Sequence, residues 1–102
     1  MDKTETEMIY YLAARKWLFL NTTRRPVYDR LSLDIKEDLN RLINWNEVCN
    51  DADVAGYTTI LQLEGLEGST LGGRVNCINL KGLWHLHVHK HLIHDFYKKY
   101  LG

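Results

Sequence analysis

The chain has 102 residues, 45% of them hydrophobic, enough for one compact core and too little for two, so a single domain over residues 1–102 is expected. Its 13 basic and 13 acidic side chains cancel at neutral pH, which argues against a protein that holds nucleic acid mainly by neutralising phosphates. Cys49 and Cys77 are too few for a disulfide framework, the start MDKTETEM lacks the basic-then-apolar order of a signal peptide, and no apolar run approaches the roughly 20 residues that span a bilayer; a cytoplasmic protein with free thiols and no membrane contact is the expectation.

Thr4 followed by Glu7 reads as a capping box, and Met8, Ile9, Leu12, Ala13, Trp17 and Leu20 then recur at helical spacing, which predicts a helix over residues 5–20. The stretch NTTRRP interrupts it, with Arg24 and Arg25 read as a solvated turn and Pro26 suited to the start of the next helix. Leu31, Ile35, Leu39, Leu42 and Ile43 place a second helix over residues 27–48, which Ser32 or Asp34 could split. CNDADVAGY is read as a connection. Beyond it the period changes to two: Tyr57, Thr59, Leu61 and Leu63 alternate with Thr58, Ile60, Gln62 and Glu64, the pattern of a half-buried strand. EGLEGSTLGG is a glycine-rich loop without the Lys-Ser/Thr ending of a phosphate-binding loop.

RVNCINL, the pair Lys81-Gly82 and LWHLHVH read as a β-hairpin with a tight turn, and KHLIHDFYKKYLG as a short closing helix with Ile93, Phe96, Tyr97 and Tyr100 as its buried stripe. The predicted class is therefore α+β in the order ααβββα: two N-terminal helices, a single-layer three-stranded antiparallel sheet packed on them, and a short C-terminal helix. Trp17, Trp45 and Trp84 are assigned to the core. In the hairpin register Val75, Cys77 and Asn79 face Val88, Leu86 and Trp84 on the core side, while Arg74, Asn76 and Ile78 face His89, His87 and His85 on the other.

That second face matters because all five histidines fall between residues 85 and 94 of a histidine-rich tail. Charge is polarised in the same sense. Residues 47–67 carry Glu47, Asp51, Asp53, Glu64 and Glu67 without a base, whereas residues 74–99 carry Arg74, Lys81, Lys90, Lys98 and Lys99 against Asp95 alone. An exposed sheet face of this kind is a binding surface, here Arg74, Asn76, His85, His87 and His89, with Lys98 extending it from the terminal helix. No metal or cofactor is required by the pattern. If a metal were held, His85, His87 and His89 would be its ligands; if RNA were cleaved without one, His85 and His87 would exchange protons and Arg74 would stabilise the phosphorane.

Two resemblances bear on that choice. Helices followed by an antiparallel meander resemble the element order of small bacterial RNase toxins, which implies the histidine-dependent cleavage just described. His85-Leu86-His87, repeated as His87-Val88-His89, resembles the His-hydrophobic-His motif of the HUH single-strand endonucleases, which implies a divalent ion on the histidines and a tyrosine nucleophile, nominally Tyr97 or Tyr100. The residues favour a different reading. Without a complete catalytic constellation, a cofactor fingerprint or a basic excess, the expected function is a small non-catalytic binding protein, of a cell or a phage, that regulates or inhibits a protein partner. A metal-independent RNase and a nucleic-acid-binding domain are the alternatives.

Overall fold

The structure is a computed structural model that describes residues 3–21, 32–62 and 74–102. Its elements are helix α1 (Lys3–Asn21), α2 (Leu33–Leu42), α3 (Trp45–Val54), strands β1 (Thr58–Gln62) and β2 (Arg74–Ile78), helix α4 (Leu80–His89), a 3₁₀ turn (Lys90–Ile93) and α5 (His94–Tyr100). The predicted α+β order of two helices, three strands and one helix is thus corrected, among the described residues, to three helices, a two-stranded sheet and a helical segment over residues 80–100. The interhelix stretch with Arg24, Arg25 and Pro26, the glycine-rich loop, and residues 63 and 64 of the predicted strand lie outside the described residues.

Helix α1 starts earlier than the capping box implied, so Thr4 sits inside the first turn, where Lys3 pairs with Glu7 one turn on. It forms the hub of the core. Met8, Ile9, Tyr11, Leu12, Ala13, Ala14 and Leu18 are buried, a stripe wide enough for α2, α3, β2, α4 and the 3₁₀ turn to pack around it. Tyr11 has no exposed surface, and its hydroxyl accepts hydrogen bonds from Arg15 Nε (3.0 Å) and Asn76 Nδ2 (3.1 Å). Its ring meets Trp45 edge-on at 5.7 Å. One side chain thereby ties α1 to β2 and α3, and satisfies its polar end while burying its ring.

The second predicted helix is two. Ser32 caps α2 by accepting from the Ile35 N–H, and the helix stops where Ile43 turns extended and Asn44 caps α3 by accepting from the Asn46 N–H. Helix α3 takes in most of the predicted connection. It ends at Gly56, whose φ of 81° is the left-handed conformation in which Gly56 N–H reaches the Asp53 carbonyl and Tyr57 N–H the Ala52 carbonyl. Strand β1 follows at once and pairs antiparallel with β2, from Thr58 opposite Ile78 to Gln62 opposite Arg74.

The largest correction concerns residues 80–89, predicted as the second arm of a hairpin and found as a helix. Asn79 decides it. Its side-chain Oδ1 accepts from the Gly82 N–H (2.9 Å) and its carbonyl from the Leu83 N–H (2.8 Å), which starts α4. Lys81 and Gly82 are therefore first-turn residues, not a tight turn. Gly82 is buried with its Cα against Tyr57, the residue before β1, and the end of β2: a Cβ there would stand 2.2 Å from the Tyr57 carbonyl oxygen and 2.8 Å from Ile78. Once helical, the segment buries Leu86 and continues the stripe through Ile93 and Phe96, with Leu83, Tyr97 and Tyr100 packed beside it. The expected closing helix is present but starts at His94 after the 3₁₀ turn, and of its expected stripe Ile93 and Phe96 are buried and Tyr97 and Tyr100 half-buried. Trp84 departs from expectation: it is 66% exposed rather than in the core.

Helix α5 is anchored from two sides. Lys16 on α1 donates to the Tyr97 hydroxyl, and the Asp38 carboxylate on α2 gathers the Tyr100 hydroxyl, Arg41 and Lys99. The Tyr100 hydrogen bond and the two cations hold Asp38 below the usual carboxylate range. Cys49 and Cys77 are both free thiols, and burial pushes the Cys77 thiol upward. No helix among the described residues is long and apolar enough to cross a membrane.

Two substitutions on α4 and one at its start check this packing. Leu86→Ala should lower unfolding stability by about 2–5 kcal/mol, while His87→Ala, exposed one residue away, should change it by less than about 0.5 kcal/mol. Gly82→Ala should cost about 1–3 kcal/mol despite alanine's helix preference, because its methyl meets backbone rather than a movable side chain. Urea melts followed by far-UV circular dichroism measure all three; a stabilising Gly82→Ala would show that α4 does not press on the Tyr57 carbonyl.

Candidate functional site

A helix turns about 100° per residue, so the histidines that alternation placed on one sheet face are spread around α4. His85 and His89 are one turn apart on one flank, half-buried. His87 is exposed on another side, its ring 5.8 Å from Trp84. His91 belongs to the 3₁₀ turn and His94 opens α5, both exposed. The histidine-rich sheet face is therefore not formed: His85 is clamped against the body of the protein with His89 beside it, the His91 ring lies 6.4 Å from that of His89, and His87 lies beside Trp84 instead.

The remaining predicted binding residues scatter further. Asn76 faces inward and donates to Tyr11, which makes it a link between β2 and α1. Arg74 opens β2 opposite Gln62, with its side chain outside the described residues. Lys98 is exposed on α5. Of Arg74, Asn76, His85, His87, His89 and Lys98, only His85 and His89 are brought together. The acid/base pair His85 and His87 required for RNA cleavage is split between two sides of one helix. Tyr97 packs on the core and accepts from Lys16, and Tyr100 binds Asp38, so neither stands beside the histidines as a nucleophile.

Two features of α4 carry chemistry. On its inner flank, a cleft of about 170 Å³ opens against the first turns of α1, lined by Thr4, Glu5, Met8, Ile9, Tyr57, His85 and His89. His85 stacks on Tyr57 with ring centroids 4.2 Å apart and planes 15° from parallel, and His89 follows at 4.4 Å. The Nδ1–H of His89 donates to the His85 carbonyl at 2.9 Å. Burial first, then the neighbouring His89, lowers the proton affinity of His85; Lys81 acts in the same direction and Glu5 opposes it. Among the described residues, no group of three or more His, Cys, Asp and Glu side chains converges on a point that could hold a metal.

On its outer side, Leu80, Trp84 and Val88 stand at successive turns and are 84%, 66% and 41% exposed. Around them lie exposed Lys81, His87, Lys90 and His91, and residues 68–94 contain no carboxylate. The result is an apolar ridge beside two cations, Lys81 and Lys90, and two histidines. Periodicity holds the signal for it: Leu80, Trp84 and Val88 are spaced by four, the helical interval, whereas the hairpin register puts Trp84 and Val88 with Leu86 on one sheet face and Leu80 on the other strand.

No protein-family model matches the chain, nor does any curated protein or solved structure.

The burial of His85 has a consequence for stability. Its folded-state pKa lies below the roughly 6.5 of an unperturbed histidine, so the unfolded chain takes up the proton first as pH falls. The contribution of neutral His85 is complete above about pH 6.5 and is lost as pH drops through the folded value. Wild-type protein should therefore lose more stability between pH 7.5 and pH 5 than His85→Gln does, as read from the midpoints of paired urea melts; parallel losses in the two proteins would show that His85 is not the group responsible.

Proposed function

We infer that this chain is a binding protein for another protein, with the outer ridge of α4 as its contact surface. The observation that carries the reading is Trp84, two-thirds exposed between Leu80 and Val88 on a helix whose other side is well buried. Leaving such a row in water forgoes hydrophobic stabilisation of about 25 cal/mol for each Å². Exposed apolar patches of this kind mark contact sites, and tryptophan is the residue type most enriched among those that dominate interface energetics. The exposed cations Lys81 and Lys90 on the same segment favour a partner whose apolar groove is rimmed by Asp and Glu, since complementary charge speeds encounter and rejects basic partners.

A small, non-catalytic regulator or inhibitor fits these features. Its contact is a preformed helix, so binding requires little ordering of the ridge, and the partner needs only a groove that accepts side chains at every fourth residue. The separation of His85 from His87 leaves the RNase alternative without its acid/base pair. The neutral overall charge likewise gives nucleic acid little to hold.

Affinity capture from native host extract tests the reading. Wild-type protein should retain one or a few proteins, and Trp84→Glu should lower their yield at least tenfold while unfolding at nearly the same urea concentration. Lys90→Glu should weaken capture in a salt-dependent way, whereas Lys98→Glu on α5 should not. Equal capture by Trp84→Glu, or eluates that contain only RNA, would overturn it.

A further inference from the structure

We propose that the cleft between α1 and α4 is a binding site for a small, single-ring aromatic amine, with its ring against the Tyr57, His85 and His89 side chains and its ammonium group beside Glu5. The site is distinct from the outer ridge of the same helix and does not depend on it. Volume sets the size of the ligand. At about 170 Å³ the cleft is smaller than the roughly 300 Å³ at which drug-sized molecules begin to be held, and close to the roughly 150 Å³ of an apolar cavity that takes up one benzene ring. The lining is mostly apolar, and it sets the character of the ligand's body. Met8 and Ile9 supply thioether and aliphatic surface, while the stacked Tyr57 and His85 rings, with His89 next along the helix, supply an aromatic wall. A flat ring gains contact with both, including the favourable approach of a methionine sulfur to an aromatic edge.

The polar groups of the lining set the sign of the charge. Glu5 is the one carboxylate among the described lining residues, and no Lys or Arg joins it there. Its negative charge reaches His85, whose proton affinity it raises against the effect of burial. The other polar group with a defined role is His89. Because a carbonyl can only accept, the bond from His89 Nδ1 to the His85 carbonyl puts a proton on Nδ1 and makes Nε2 of the neutral ring an acceptor. Glu5 and His89 both offer electron pairs, so the complementary ligand brings donors, and an ammonium group brings three with a charge opposite to that of Glu5. A ligand with a carboxylate in that place would meet like charge instead. Lys81 lies over the Tyr57 ring but directs its ammonium to the Ala55 carbonyl at 3.0 Å, outside the lining. Burial of the ring supplies most of the affinity and the ammonium fixes the orientation, the usual division in pockets that are apolar with a few placed polar groups.

Titration of untagged protein with phenethylamine at pH 7.5, followed by proton–nitrogen correlation spectra, tests the site. Phenylacetate, which keeps the ring and reverses the charge, and butylamine, which keeps the charge without the ring, are the controls. Phenethylamine should shift the amide signals of Met8, Ile9, Tyr57, His85 and His89 along one saturable curve with a dissociation constant below about 1 mM. Each control should bind at least about tenfold more weakly. Glu5→Gln should weaken the amine at least about fivefold and narrow its margin over phenylacetate, whereas Trp84→Glu on the ridge should leave binding within about twofold. Glu5 is exposed, so its replacement spares the core, and the same spectra confirm that each variant is folded. The proposal is overturned by the lack of saturable shifts at the cleft, by shifts centred on Leu80, Trp84 and Val88 instead, by phenylacetate or butylamine binding as tightly as phenethylamine, or by undiminished binding of the amine to Glu5→Gln.

Discussion

Asn79 is the joint on which the C-terminal half of this protein turns. Its backbone N–H donates to the Tyr57 carbonyl at 3.1 Å, extending the pairing of β2 with β1 by one bond. Its side-chain amide donates to the Gly56 carbonyl and the Thr59 hydroxyl, and its remaining acceptors start α4. A single residue thus ends a strand, caps a helix and ties both to the loop that leaves α3. Each bond satisfies a backbone or side-chain group at a helix end or strand end that would otherwise need water. Gly82 completes the joint by letting the first turn of α4 touch the Tyr57 carbonyl directly.

The orientation of α4 follows from that contact. With Gly82 pressed on the Tyr57 carbonyl and Leu86 under α1, the flank carrying His85 and His89 is set beside Tyr57, and the side carrying Leu80, Trp84 and Val88 must face outward. Lys81 reinforces the placement by donating to the Ala55 carbonyl and lying over the Tyr57 ring. Tyr57 is consequently more than a residue preceding a strand: its carbonyl receives Asn79, its ring receives His85 and Lys81, and its N–H closes the end of α3. The cleft and the ridge are two sides of one helix, held in register by the same few groups.

Helix α1 supplies the other half of the frame. Its buried stripe reaches the remaining helices, and the links that fix their angles are polar: Tyr11 to Asn76, Lys16 to Tyr97, and, at the far side of α5, Asp38 to Tyr100. Such bonds add little net stability each. Their effect is directional, since each has few geometries that satisfy it, whereas hydrophobic contact tolerates many.

Helix α1, the apolar stripe of the closing segment and the period-two strand before the glycine-rich loop were all legible in the sequence. Each is a local pattern whose periodicity has one good solution. The segment LKGLWHLHVH was not legible, because two periods coexist in it. Apolar residues at 84, 86 and 88 alternate as in a strand, while Leu83, Leu86 and Ile93 keep a helical stripe. A Lys-Gly pair suits a tight turn as well as a helix's first turn against a wall. The choice was made elsewhere in the chain. β2 finds its partner in β1, some 20 residues earlier, through the pairing of Cys77 with Thr59, and the Tyr57 carbonyl leaves room only for a glycine at the start of the next element. A contact between residues 25 positions apart has no signature in either local stretch, and it alone determines that the histidines are distributed around a helix instead of lining a sheet.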